Sequence, residues 1–373
     1  MNILIIGEFS AFAKHLKNGL KLLGHQVVVV NSGDDWKRIA GDSDDVDFNI
    51  RGLTILGRHI KGSERMLAPW TNWRLEKKLR KRLKGIHIDI VVVIGHVFLS
   101  NNLFTIGVKV SLVKGLIEKG AKMIQTICYG CPAFQYAYPE FERLSMQHHP
   151  LKEPRFSFLI KNADAIIPTT YSYYYAITSY CNHFGFSDAK ITRAIPLPIT
   201  VDKDVIIRPC QDRKIVIFHG ISRPVLKGTG FIKNAMDRIQ REYPNSVECI
   251  CEERLPYNDY IKLFDRIDIL IDQVYFSGWG VNAAIGAMKG KCVLAPCGKD
   301  NGDNMQIPDI PFVQIEPDSD QIYAVLKNLV ENPMEIDRIK RASRCFIEKY
   351  CESSVVGRRY IDAVFNDNKA GLD

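Results

Sequence analysis

The chain carries 373 residues, 46% hydrophobic and 25% charged, at a formal net charge of +8 and a pI near 8.9. These are the proportions of a soluble globular protein, long enough for two domains and a large core. The basic balance favours anionic partners such as nucleotides, phospholipid surfaces or polyphosphates, while no motif supports nucleic acid, which is set aside.

The N-terminus opens on an apolar run, "MNILIIGEFS", with neither a basic leader region nor a small-residue cleavage site, so it reads as a first strand. "GEFSAF" (Gly7 to Phe12) follows it and lacks the full GxGxxG pattern of a dinucleotide fingerprint. A second strand, "QVVVVN", comes next. Further on, "WTNWRLEKKLRKRLKG" (residues 70–85) sets Leu75, Leu79 and Leu83 at helical spacing, with Arg74, Lys77, Lys78, Arg80, Lys81, Arg82 and Lys84 crowding the remaining surface against Glu76 alone. The pattern predicts a basic amphipathic helix, leucines inward and cations toward an anionic membrane, where each cation contributes about 1 kcal/mol and tryptophans suit the headgroup zone. "IDIVVVIGHVFL" is broken by Asp89 and His96 and is too short to cross a bilayer. It supplies the strand "DIVVVIG", followed by "KMIQTI" and "DAIIPT".

Ten cysteines, several inside apolar strand-like runs, fit reduced core thiols in a cytosolic protein. "CYGC" (Cys128 to Cys131) has CxxC spacing without the second ligand pair of a zinc site or a thioredoxin-like context, so it reads as two buried thiols. "QHH" (Gln147 to His149) reads as solvated loop. Residues 195–213, rich in proline and charge, read as the linker. Beyond them the strand scheme repeats with "KIVIFHG", "VECICE", "DILIDQ", "CVLAP" and "FVQI". Continuous apolar strands separated by helices predict an α/β protein with two doubly wound parallel sheets, residues 1–197 and 198–373, whose strand ends face one cleft.

Two segments of the second half point to an anion in that cleft. In "FHGISRPVLKGTGF" (Phe218 to Phe231), Arg223 and Lys227 follow a strand end and precede a helix, where backbone N–H groups and the helix dipole favour phosphate. Charge-assisted contacts of this kind are worth roughly 1.5–3 kcal/mol each when shielded from water. In "DILIDQVYFSGWGVNAAIGAMKGKCVLAP" (Asp268 to Pro296), a buried strand leads through Gly278 and Gly280 into a small-residue helix, whose start can approach a ligand closely.

The second half resembles the donor domain of GT-B fold glycosyltransferases of the retaining type that includes family 4, in a bacterial sub-branch; its signature of Gly, then Arg, then Lys-Gly falls on Gly220, Arg223, Lys227 and Gly228. "LPYNDYIKLFDRIDILIDQ", beginning at Leu255, is similar to the family segment that turns under the nucleotide base, and the opening from Gly7 to Lys37 is similar to that of the same enzymes. The resemblance implies two Rossmann-like domains, with the last helix packing back on the first, and transfer of a sugar from a nucleotide-sugar donor to a glycan or lipid-linked acceptor. It further implies retention and bacterial surface polysaccharide or glycoconjugate synthesis. A donor clamp of two cations needs no bound metal or cofactor, and no Asp-x-Asp motif is placed to hold a metal; the cysteine usage and the basic helix at 70–85 point to a cytoplasmic protein, peripheral at the inner face of the membrane. Arg223 and Lys227 would be the catalytic cations; Gly220, Gly228, Leu255, Gly278, Trp279, Gly280, Val281 and Asn282 would bind the donor. Glu8, Phe9, Ser10 and His96 would face the acceptor, although Glu8 reads equally well as a helix cap and His96 as a packed core histidine. The family's paired glutamates are missing: their positions fall on Ser277 or Gly278 and on Ile285 or Gly286, leaving Asn282 as the polar side chain there. Two rival readings are a non-catalytic nucleotide- or glycan-binding relative and a GT-B nucleotide-sugar epimerase.

Overall fold

The computed structural model describes residues 1–32, 39, 41–48, 54–55, 58–59, 62–145, 148–211, 213–253 and 262–365. In the first half, β1 (Asn2–Ile6), α1 (Phe12–Leu22), β2 (Gln26–Asn31), β3 (Val46–Asp47), α2 (Ser63–Arg82), β4 (Ile90–Val93), α3 (Val110–Glu118), β5 (Lys122–Ile127), α4 (Pro132–Ala137), α5 (Glu140–Ser145), α6 (Pro154–Asn162), β6 (Ala165–Pro168) and α7 (Tyr171–Phe184) alternate. The strands pair in parallel in the order β3-β2-β1-β4-β5-β6. Apolar side chains alternate to both faces of this sheet: Ile3 and Ile5 pack with α1, Leu4 and Ile6 with the opposite layer.

The second half runs β7 (Ile215–Ile221), α8 (Pro224–Lys227), α9 (Thr229–Glu242), β8 (Val247–Glu253), β9 (Ile269–Ile271), α10 (Val281–Met288), β10 (Cys292–Ala295), α11 (Lys299–Met305), β11 (Val313–Gln314), α12 (Ser319–Glu331), α13 (Pro333–Phe346) and α14 (Ser353–Phe365). Its sheet is also parallel, in the order β8-β7-β9-β10-β11. Both orders reverse direction once, beside β1 and β4 in the first sheet and beside β7 and β9 in the second, and such switch points open crevices at the carboxyl ends of the strands.

The chain crosses between the sheets twice, side by side. Ile199 N–H donates to the Cys351 carbonyl (2.7 Å) and Ser353 N–H to the Ile199 carbonyl (2.9 Å). α14 then lies on α1, where Gly19 is needed because a Cβ there would meet the Ser353 carbonyl oxygen at 1.8 Å. Tyr360 of α14, fully buried, shares a hydrogen bond with Thr126 of β5 (3.2 Å).

Among the described residues three histidines are buried, and burial is the main cause of their lowered pKa values: His15 and His219 fall to about 4 and His96 to about 3, from 6.5. Each is depressed in the folded state, so each contributes stability that is present above pH 6.5 and is lost as the pH falls toward the folded value. We expect the thermal midpoint to decline from pH 6.5 to about 4, ahead of the carboxylates; a flat profile over that window in a thermal-unfolding series would contradict it.

Candidate active site

The carboxyl ends of the two sheets face one another across a cavity of about 560 Å³. Its second-sheet wall begins where β7 ends. His219, fully buried, donates from Nδ1 to the Ile271 carbonyl (3.0 Å) and accepts at Nε2 from Thr229 Oγ1 (2.9 Å), tying β7 to β9 and α9. Gly220, Ile221, Ser222 and Arg223 then line the cavity. The loop anticipated between Arg223 and Lys227 is a single helical turn, started by Pro224 and ended by Gly228 at φ 70°. A Cβ on Gly228 would lie 2.2 Å from Val274, so this position needs glycine for conformation and for space.

Arg223 is exposed at the cavity edge, with no carboxylate partner among the described residues. Lys227 differs. It is buried, and its ammonium lies 2.9 Å from Asp272 Oδ1, at the end of β9. Asp272, 1% exposed, also accepts from Gly280 N–H (3.0 Å) and Asn282 Nδ2 (3.0 Å). Burial alone would raise the Asp272 pKa; the Lys227 charge and these hydrogen bonds outweigh it and hold the carboxyl below its usual range. Lys227 is thus oriented by a carboxylate rather than standing alone. The same contact occupies the Gly280 N–H, leaving Val281, Asn282 and Ala283 as the first-turn donors of α10 without intrahelical partners.

Gly278 takes φ 137° and packs on Thr170, where a Cβ would come within 2.6 Å. Trp279 is 2% exposed, edge-on to Phe312 and Phe346 at 5.3 and 5.8 Å, and its indole nitrogen has no partner. It lines the cavity while most of its ring is packed against these two phenylalanines. Val281 and Asn282 line the cavity, and Asn282 Oδ1 is buried without a partner.

At the positions where the resemblance would set the second glutamate, neither residue carries a carboxylate and one has no room for a side chain. Ile285 presents an apolar side chain to the cavity, and a Cβ on Gly286 would lie 2.3 Å from Leu270 Cδ2. Gly286→Glu is expected to lower unfolding free energy by about 1–3 kcal/mol through overpacking and to leave nucleotide affinity no tighter, as read by denaturant unfolding and ligand titration. Among the described residues, the carboxylates that line the cavity are Asp272 and Glu252. Sequence reasoning passed over both; the available signal was a carboxylate ending an apolar strand, and Glu252 stands in register beside Gly220. Leu255 lies outside the described residues.

On the first-sheet wall, Phe9 and Ser10 line the cavity. Glu8 does not. It is 2% exposed and its carboxylate accepts from Ala13 N–H (3.3 Å) and Lys14 N–H (3.1 Å), capping α1. His96 also stands behind the wall: Tyr129 Oη accepts from its backbone N–H and donates to Nδ1, both at 2.9 Å, while Phe156 packs edge-on at 5.6 Å. Tyr129, rather than His96, reaches the cavity.

Of the CxxC pair, Cys131 is buried, with burial pushing its thiol up to about 12, whereas Cys128 is half-buried and lines the cavity, which corrects its reading as a core thiol. His148 pairs with Glu142 (3.1 Å) on the surface; Gln147 lies outside the described residues. Among the described residues no three His, Cys, Asp or Glu are grouped to hold a metal ion.

No family model matches the chain, and no curated protein matches it in sequence. Solved structures do match in fold. Sucrose-phosphate synthase from Thermosynechococcus elongatus superposes with a TM-score of 0.62 at 12% identity, covering 97% of each chain. The HepE protein of Anabaena, in complex with UDP and glucose, gives 0.58 at 12% identity over 98% of this chain and 99% of that one. A structure described as a UDP-N-acetylglucosamine 2-epimerase from Listeria monocytogenes gives 0.53 at 13% identity over 100% and 98%. The chain has the GT-B fold: two Rossmann-like units facing a central cleft.

Proposed function

We propose that the protein is a glycosyltransferase that takes a sugar from a nucleotide-sugar donor. The observation that carries this reading is the placement of Arg223 and Lys227 beside the start of α10, at the switch point of the second sheet. A nucleoside diphosphate is the ligand whose chemistry fits: two cations and the free N–H groups of a helix start converge on its phosphates. As the bond from sugar to diphosphate breaks, negative charge builds on the leaving phosphate. Cations already held in place stabilise that charge more than they stabilise the bound donor, and the difference is the catalysis. Asp272 leaves the Lys227 ammonium two further N–H donors for phosphate while fixing its direction. HepE, of the same fold, is recorded with UDP and glucose, which supports a uridine diphosphate as a first probe.

In this reading the acceptor approaches from the wall of Phe9, Ser10 and Tyr129 and is a glycan or a lipid-linked sugar. The transfer retains anomeric configuration, as in family 4, belongs to bacterial surface polysaccharide or glycoconjugate assembly, and uses neither metal nor cofactor. The enzyme works in the cytoplasm, peripheral at the inner face of the membrane. A second reading, epimerisation of the nucleotide sugar, is favoured by the fold it shares with the Listeria structure. Incubation with a panel of nucleotide sugars separates them. Release or transfer of the sugar supports the transferase, interconversion of one nucleotide sugar into another supports the epimerase, and binding without turnover would contradict both.

A further inference from the structure

α2 carries two side-chain stripes of identical spacing. Ala68, Asn72, Leu75 and Leu79 are buried toward the first sheet. Met66, Trp70, Trp73 and Lys77 stand two positions earlier, about 200° round the helix, and face solvent. Met66 is 83% exposed, Trp70 55% and Trp73 58%. Basic side chains cover these rings: the Arg74 guanidinium lies 4.5 Å from the Trp70 ring centre and the Lys77 ammonium 5.4 Å from that of Trp73. Asn72, on the buried stripe, donates to Ser100 Oγ (3.1 Å) and the Thr105 carbonyl (2.8 Å) and accepts from Gly107 N–H (3.0 Å). It thereby fixes against α2 a loop that holds Leu103 and Phe104 each 67% exposed.

Charge narrows the partner. α2 holds seven cations against two carboxylates, and one of these, Glu76, is taken by Arg80 (2.8 Å) and Lys109 (2.6 Å). A second copy of this +8 chain would bring like charges together, whereas an anionic surface would complement them. Large apolar side chains rimmed by arginine and lysine fit the boundary between lipid headgroups and acyl chains, where indoles settle and long cationic side chains reach back to phosphate.

We propose that this face of α2 inserts into one leaflet of an anionic lipid bilayer, with Met66, Trp70 and Trp73 immersed and Arg74 and Lys77 bridging from the indoles to lipid phosphates. The contact is an insertion, beyond the electrostatic attraction that a basic helix implies, and it does not depend on what the cleft catalyses. Because Met66, Trp70 and Trp73 are exposed in the folded chain, removing the indoles leaves the fold and the cleft intact.

The test compares the full chain with the Trp70→Ser/Trp73→Ser variant on vesicles of phosphatidylcholine, alone or mixed with phosphatidylglycerol. Tryptophan fluorescence is read with acyl-brominated lipids as quenchers, and co-sedimentation is read at low and high salt. Wild type is expected to bind the anionic vesicles, to be quenched by bromolipid, and to keep part of its binding at high salt, where surface electrostatics are screened. The variant is expected to bind about tenfold more weakly, to lose the quenching difference and to keep its thermal midpoint. Equal binding by both proteins, or wild-type fluorescence that bromolipid leaves unchanged, would overturn the proposal. So would a lipid-free dimer that only the variant fails to form, since the face would then be a subunit interface.

Discussion

Arg223→Ala is expected to lower kcat/KM for sugar transfer by about 10²–10³-fold, the usual consequence of removing one preorganised donor from a developing negative charge. Arg223 is exposed and has no carboxylate partner among the described residues, so its removal strands no charge and opens no cavity. Unfolding free energy should therefore stay within about 0.5 kcal/mol of wild type. Arg223→Lys should recover only part of the loss, because an ammonium cannot reproduce a planar, two-pronged contact with phosphate. Steady-state kinetics with denaturant unfolding on the same preparations checks both halves. A large stability loss, or unchanged kinetics, would remove Arg223 from the reaction.

Lys227 should behave differently, because its ammonium is paired with a carboxylate that is 1% exposed. Lys227→Met leaves Asp272 charged and buried with only Gly280 N–H and Asn282 to satisfy it, and breaking such a pair costs about 3–5 kcal/mol. Adding Asp272→Asn removes the stranded charge, so the double variant should regain most of that stability. It should not regain transfer, since the cation is still missing. The contrast between recovered folding and unrecovered activity separates a structural ion pair from a phosphate ligand. If the double variant turned over donor at the wild-type rate, the pair would be structural alone.

The backbone was largely legible. All ten anticipated strands form: eight are short apolar runs largely buried in a parallel sheet, a pattern that survives in sequence, while β8 and β11 are partly exposed edge strands. β3 was not legible: Val46 and Asp47 pair at the sheet edge inside the charged run "GDSDDVDFN", which has no apolar stretch to mark it, whereas the equally short β11 sits in the apolar "FVQI". In the site, Gly220, Arg223, Lys227 and Gly228 could be placed because they are consecutive landmarks between a strand and a helix. The Lys227 to Asp272 pair could not, since it joins positions 45 residues apart and "DILIDQ" reads simply as a strand with polar ends. For the same reason Glu8 and His96 kept two readings each. Which of them holds depends on whether the side chain meets a helix start or a tyrosine hydroxyl, and only packing decides that. Phe276 is a further case: at φ 65° it places its ring 5.0 Å from both Phe134 and Tyr138, joining the two units across the cleft, with no local pattern to announce it.

Whether Arg223 and Lys227 together grip the diphosphate of the donor is read by calorimetric titration of UDP and of UMP. Wild type should prefer UDP, and the Arg223→Ala/Lys227→Met/Asp272→Asn variant, folded by the same unfolding criterion, should lose that preference, with UDP affinity at least about a hundredfold weaker. UDP binding of wild-type strength by the triple variant would contradict the account.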